Sequence, residues 1–132
     1  MAINEAKIIK SFKFVFDKFP EVQGIPIYAW GRYYKYESAG DPFDMDNITE
    51  GTFCEYRSMI CDKRIDFKLL KKIDDQIEQD KELQEALDDC DRPSRSNCVK
   101  EYDFDERGAR AIIIVKTDDV LKLECIRCDS PE

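Results

Sequence analysis

The chain has 132 residues, of which 42% are hydrophobic and 38% charged, with six cysteines and no histidine. The length and the apolar fraction predict a single globular domain over residues 1–132 with a core of its own. The net charge of −8 argues against binding to a nucleic-acid backbone, which needs clustered cations. The lack of histidine excludes Ser–His and Cys–His nucleophilic couples and mixed Cys/His zinc sites.

The sequence gives no sign of a membrane or export segment. No stretch approaches the roughly 20 apolar residues that span a bilayer. Residues 1–20 interleave lysines with apolar residues and so lack the apolar run of a signal peptide. We expect a cytoplasmic protein that does not contact membranes; the alternative is a secreted protein whose signal peptide has been removed.

The first predicted element is an amphipathic helix over residues 4–19. Asn4 suits the N-cap, and the Phe19-Pro20 step ends the helix. The apolar residues at helical spacing are Ile8, Phe12, Val15, Phe16 and Phe19. This face is expected to enter the core.

The next segments predict two strands separated by a loop. Residues 22–37 are rich in aromatic residues and favour a strand. Residues 38–51 contain Gly40-Asp41-Pro42 and favour a loop, and residues 52–61 favour a second strand.

The middle of the chain predicts one long helix over residues 66–89, with Asp66 as its N-cap. Its apolar stripe consists of Leu69, Leu70, Ile73, Ile77, Leu83 and Leu87, and Asp80 interrupts the stripe. Residues 90–108 are polar and predict a long loop.

The chain then predicts a β-hairpin from ARAIIIVK and VLKLECIRC, which are joined by Thr117-Asp118-Asp119. The uninterrupted apolar run Ile112–Val115 favours a strand that is covered on both faces. The predicted order α-β-β-α-β-β implies an α+β fold, in which helices pack on one mainly antiparallel sheet.

The cysteines leave four interpretations open. Dithiol redox chemistry at Cys125 and Cys128 is disfavoured, because the pair ends a predicted strand and Arg127 is its only close cation. Cys125 and Cys128 have the spacing of half a zinc site, which Cys90 and Cys98 would have to complete, although their separation is not that of a zinc knuckle. Alternatively, a disulfide joins Cys90 to Cys98 across the polar loop. In the fourth interpretation, the cysteines are reduced and buried as small apolar residues.

Other common chemistries lack a signature. The loop over residues 38–51 is acidic but does not fit an EF-hand, which needs an oxygen ligand at position five and a glycine at position six. Counting from Asp44, these positions are Ile48 and Thr49. Neither G-x-x-x-x-G-K-[ST] nor G-x-G-x-x-G occurs. With 29 acidic residues, no carboxylate pair stands out as an acid/base couple.

These observations predict a non-catalytic protein, without a cofactor, that binds a protein partner with a basic surface. An inhibitor, an immunity-type protein or a phage or pathogen effector would fit. The alternatives are a four-cysteine zinc-binding module and an enzyme that uses carboxylates. Aromatic anchors beside acidic steering groups suggest a binding surface made of Trp30, Tyr34, Tyr36, Asp41, Asp44 and Asp46.

Overall fold

The computed structural model describes residues 3–33, 36–40, 62–91, 93, 95–102 and 110–127. Helices and an antiparallel sheet make up this part of the chain, so the expected α+β class is confirmed. The elements in chain order are α1 (Glu5–Lys18), β1 (Gly24–Tyr33), β2 (Tyr36–Gly40), α2 (Phe67–Glu78), α3 (Lys81–Asp88), α4 (Arg95–Tyr102), β3 (Arg110–Thr117) and β4 (Val120–Arg127).

The four described strands lie in the order β2-β1-β3-β4, and each adjacent pair is antiparallel. β3 is therefore an inner strand, and every residue of Ile112–Val115 is 0% exposed, as the apolar run predicts. The register between β1 and β3 shifts between Pro26 and Tyr28. Such a bulge accommodates a proline within a sheet.

A two-residue turn joins β3 to β4. Asp118 and Asp119 both have positive φ, at 50° and 64°, and the flanking Thr117 and Val120 are paired. Two successive positive φ values define a type I′ turn, whose twist matches that of the strands, and aspartate tolerates this conformation. The predicted hairpin is confirmed.

The two faces of the sheet are covered by different parts of the chain. α1 lies over one face, where Phe16 lines a cleft together with Lys116 and Leu121. On the opposite face, Ile65 and Arg64 lie so close to Gly24 that a Cβ there would be 2.8 Å from Ile65 Cδ1 and 3.0 Å from the Arg64 carbonyl oxygen. This close approach is the reason for a glycine at that position.

α1 forms where the sequence predicts it. The Asn4 side chain accepts a hydrogen bond from the Lys7 amide at 3.1 Å and so caps the helix. The five predicted apolar residues Ile8, Phe12, Val15, Phe16 and Phe19 are all buried. They belong to the same apolar cluster as the β3 isoleucines.

The prediction of one helix over residues 66–89 is wrong, because the helix is interrupted at Gln79 and Asp80, between α2 and α3. Asp80 accepts hydrogen bonds from the amides of Glu82 and Leu83 and so begins a new helix. The side-chain amide of Gln84 donates from Nε2 to the carbonyl oxygens of Ile77 and Glu78 at the end of α2, at 2.9 Å each. The apolar stripe is nevertheless buried, at Leu70, Ile73, Ile77, Leu83 and Leu87.

Three further expectations need correction. Residues 22–37 are not one strand, since β1 and β2 pair with each other, with Tyr33 opposite Tyr36. β2 also takes up residues 38–40 of the predicted loop. The predicted loop over 90–108 contains α4, while the predicted strand over 52–61 lies outside the described residues.

Candidate protein-binding surface

α3 and the residues that flank it carry a dense negative charge. Residues 78–91 contain seven acidic residues and a single lysine, Lys81. We define the acidic helix surface as Glu78, Glu82, Glu85, Asp88 and Asp89, all of which are exposed. Within the described part of the chain, none of these five forms an ion pair.

α1 fixes the position of the acidic helix surface at both ends of α3. At the start of α3, Asp80 pairs with Lys18 at 3.7 Å. At its end, the amide of Asp91 donates to Ser11 Oγ at 3.0 Å, and the Cys90 thiol donates to the Ser11 carbonyl oxygen at 3.2 Å. Because the end of α1 meets the start of α3, the two helices run antiparallel.

The distribution of charge along α3 does not favour helix stability. Asp88 lies in its last turn and Asp89 is its C-cap, while the last turn contains no basic residue. The C-terminal end of a helix carries a partial negative charge, so that carboxylates there are unfavourable. The two aspartates therefore do not contribute to the stability of α3.

The structure locates only part of the surface that the sequence predicts. Trp30 lies in β1, where it pairs with Arg110 of β3 and Ala39 of β2, and Tyr36 begins β2. The other predicted binding residues, Tyr34, Asp41, Asp44 and Asp46, lie outside the described residues.

The structure describes three of the six cysteines, Cys90, Cys98 and Cys125. Cys90 follows α3 and Cys98 lies in α4; both are buried, and no disulfide joins them. Cys125 is half-buried on β4, and Cys128 lies outside the described residues. In the ranges that the structure describes, no three potential ligands come close enough to hold a metal ion, so no geometry supports the zinc module there.

Arg64 connects the segment before α2 to β4. Its guanidinium donates to Asp62 Oδ2 at 2.7 Å and to Glu124 Oε2 at 2.6 Å. The hydrogen bond from Arg64 lowers the pKa of Asp62, and the two carboxylates raise the pKa of Arg64. The cluster fixes Glu124 in one position on the strand.

Asp74 is the buried charged residue of the described core, with 1% exposure. Its Oδ2 has no hydrogen-bond partner, and the nearest cation, Lys71 Nζ, is 3.8 Å away. Burial, together with the charge of Glu78, raises the pKa of Asp74 to about 6. A carboxyl group in this environment favours its neutral form.

Tyr102 joins α4 to α1. Its hydroxyl donates to Glu5 Oε1, and burial and this hydrogen bond raise the pKa of Tyr102. The contact links α4 to the first turn of α1.

A cleft of about 280 Å³ lies between the end of α1 and the β3–β4 turn. Its two lysines are engaged, since Lys13 pairs with Asp17 at 2.6 Å and Lys116 donates to the Pro20 carbonyl oxygen at 2.8 Å. The cleft is thus a surface groove where the end of α1 packs beside the β3–β4 turn.

No known protein family, curated protein or solved structure matches the chain. None of the helices in the described ranges is both long and apolar enough to cross a bilayer.

The acidic helix surface was not predicted, because a single helix over residues 66–89 would place lysines and glutamates together on its polar face. The signal was present in the order of the charges. Lys68, Lys71 and Lys72 all precede Asp74, whereas the acids dominate from Glu78 onward. Once the helix breaks at Asp80, this asymmetry separates a mixed helix from an acidic one.

Proposed function

We propose that this protein is a small, non-catalytic binding protein that occupies a basic surface of a protein partner. Its role would be that of an inhibitor, an immunity-type protein or a phage or pathogen effector. The observation that carries the proposal is the acidic helix surface, since residues 78–91, which comprise α3 and its flanks, contain seven acidic residues and a single lysine.

Two properties of this surface support binding. Its carboxylates are exposed and, within the described residues, without ion pairs, so their field is not cancelled locally. Asp88 and Asp89 lie where carboxylates are unfavourable for the helix, which indicates a role other than stability. Stability and function commonly make such opposing demands.

The charge acts mainly on the rate of encounter. Clustered carboxylates attract a basic partner over a Debye length of about 8 Å at physiological ionic strength. Charges at the rim of an interface change the association rate more than the dissociation rate.

Tight binding also needs desolvated anchors, and we propose that the β1–β2 hairpin and the residues after it supply them. Aromatic side chains are enriched among residues that dominate binding energy. The candidate anchors and flanking acids are Trp30, Tyr34, Tyr36, Asp41, Asp44 and Asp46. A cytoplasmic location fits cysteines that form no disulfide between Cys90 and Cys98.

The test compares two variants that each lose two negative charges. D88N/D89N neutralises the end of the acidic helix surface, whereas D118N/D119N neutralises the β3–β4 turn, where asparagine tolerates the positive φ. Partners captured from a lysate of the source cells are identified, purified and measured by surface plasmon resonance over a range of NaCl concentrations.

We expect a basic partner whose association slows as salt rises. D88N/D89N should slow association severalfold and flatten the salt dependence, while D118N/D119N should remain near the wild type. An acidic or uncharged partner, salt-insensitive association, or equal effects of the two variants would contradict the proposal.

A further inference from the structure

β4 lies at one edge of the sheet that the described strands form. Among the described strands it pairs with β3 alone, through eight consecutive residue pairs with no register shift. It contains no proline, and Val120, at 53%, is the exposed large hydrophobic residue of the described chain. Proteins usually protect such edges with prolines, bulges, very short strands or charged side chains, because a regular edge readily accepts another strand. Of these features β4 has only the charged residues Lys122 and Glu124 within its length, together with the terminal Arg127.

The type I′ turn determines which residues of β4 direct their backbone groups outward. In a two-residue hairpin the flanking residues, here Thr117 and Val120, form a hydrogen-bonded pair. Hydrogen-bonded and non-hydrogen-bonded pairs then alternate along the strands. Lys122 and Glu124 therefore direct their backbone groups toward β3, whereas Leu121 and Leu123 direct theirs away from it.

The sequence of β4 is symmetric around Leu123 in its pattern of apolar and charged residues, and the two charges that flank Leu123 have opposite signs. Reading outward in both directions, the neighbours are first Lys122 and Glu124, which have opposite charges, and then apolar residues. The sequence is Val120, Leu121, Lys122, Leu123, Glu124, Cys125 and Ile126. Such a segment is complementary to an antiparallel copy of itself.

We propose that β4 pairs with β4 of a second copy of this chain, antiparallel and with a two-fold axis at Leu123. The two sheets would then form one continuous sheet. In this register Lys122 of each copy faces Glu124 of the other, Leu121 faces Cys125, and Val120 faces Ile126. Every apolar residue faces an apolar residue, and both charges are matched.

Backbone geometry restricts the alternatives. Since outward-directed residues must face outward-directed residues, the axis has to pass through a residue and not between two. An axis at Lys122 or Glu124 would place like charges directly opposite each other, which is destabilising. An axis at Leu121 would place Val120 opposite Lys122 and would shorten the overlap.

The acceptor of the intermolecular ion pair is already fixed in position. Glu124 is held by Arg64 at 2.6 Å, yet 38% of its side chain remains exposed. Lys122 is exposed on the same face of the strand, two residues away. In a non-hydrogen-bonded pair the Cα atoms are only about 4.5 Å apart, which brings Lys122 within reach of the partner's carboxylate.

The first test measures the oligomeric state of the wild-type chain by sedimentation velocity from micromolar to millimolar concentration. We expect a concentration-dependent monomer–dimer equilibrium, because the paired area is small. K122E should shift the equilibrium to monomer by at least tenfold in dissociation constant, since its new carboxylate faces Glu124 of the other copy. High salt should partly restore its dimerisation by screening that repulsion.

A mixing experiment distinguishes this register from a general loss of affinity. K122E and E124K should each be largely monomeric, but a mixture of the two should form heterodimers, because both intermolecular pairs are then of opposite charge. Circular dichroism shows whether E124K, which loses its contact with Arg64, remains folded. If it does not, K122E and its rescue by salt still decide the question.

A cysteine scan tests the position of the axis. L123C should form a reducible, disulfide-linked dimer on mild oxidation, because residues that face their own copy have Cα atoms within the roughly 4.4–6.8 Å that a disulfide needs. V120C on the same strand is the matched control, and it lies too far from its copy to link. A wild-type monomer at millimolar concentration, a dimer that K122E leaves unchanged, or equal crosslinking of V120C and L123C would overturn the proposal.

Discussion

The ionised form of Asp74 lowers the free energy of unfolding, because its carboxylate is buried. It occupies the same buried side of α2 as Leu70, Ile73 and Ile77. Apolar residues there contribute through the area they remove from water, whereas an ionised carboxylate pays the cost of desolvation. Lys71, at 3.8 Å, offsets only part of that cost, so the pKa of Asp74 remains raised.

This residue predicts a specific pH dependence. Since the pKa of Asp74 is raised from 3.8 to about 6 on folding, its contribution to stability is greatest at low pH and is lost as the pH rises through 6. D74N should increase the free energy of unfolding by about 1–3 kcal/mol above pH 6. The increase should disappear below pH 4, as urea denaturation at several pH values would show.

The neighbouring aspartate provides the control. Asp75 is exposed and pairs with Lys71 at 3.2 Å. D75N should have little effect at any pH, because exposed ion pairs contribute little. A D74N variant that is less stable than the wild type above pH 6 would show that the ionised carboxylate has a stabilising partner.

At the level of elements, the break between α2 and α3 depends on the cap at Asp80. D80A removes the acceptor for the amides of Glu82 and Leu83 and should lower the free energy of unfolding by about 1 kcal/mol. D80N keeps an oxygen acceptor and loses only the charge that pairs with Lys18. Chemical denaturation of both variants, followed by circular dichroism, separates the two effects.

We expect D80N to retain most of the wild-type stability, since the exposed pair with Lys18 contributes little. Equal losses in D80A and D80N would assign the effect to the ion pair. In either case α3 should remain in place through its buried residues Leu83 and Leu87.

The elements that the sequence predicted correctly have strong local signals. α1 has a capping asparagine, a five-residue apolar face and a terminating proline, and the β3–β4 hairpin has an apolar run followed by Asp118-Asp119. These features act within a few residues of one another, so periodicity and turn chemistry describe them well.

The elements that were missed depend on contacts that local patterns do not show. The boundary between β1 and β2 has no turn signal in the sequence, because neither glycine, proline nor asparagine lies between Tyr33 and Tyr36. The sequence of α4 has few apolar residues at helical spacing, and Cys98 is buried through its packing in the tertiary structure. The candidate site was missed for a similar reason, because the acidic helix surface exists only once α3 is separated from α2.

At the scale of the whole molecule, the carboxylates proposed to bind the partner are also expected to lower the stability of the fold. D88N/D89N, which should weaken binding to a basic partner, should also raise the melting temperature by a few degrees, because it removes carboxylates from the C-terminal end of α3. Differential scanning calorimetry at low salt measures this effect. The difference should shrink in high salt, and a lower melting temperature would mean that the two aspartates have stabilising contacts.

The strand order also determines when this protein reaches its native state. Residues 34–109 separate β1 from its neighbour β3, whereas β3 and β4 are joined by two residues. Hairpins close in microseconds, but pairing over a long sequence separation is slow. On the ribosome, α1 and β1 emerge long before the strand that completes their core. We therefore expect the nascent chain to fold only after residues 110–117 have emerged, with the C-terminal hairpin forming first and the N-terminal strand docking onto it.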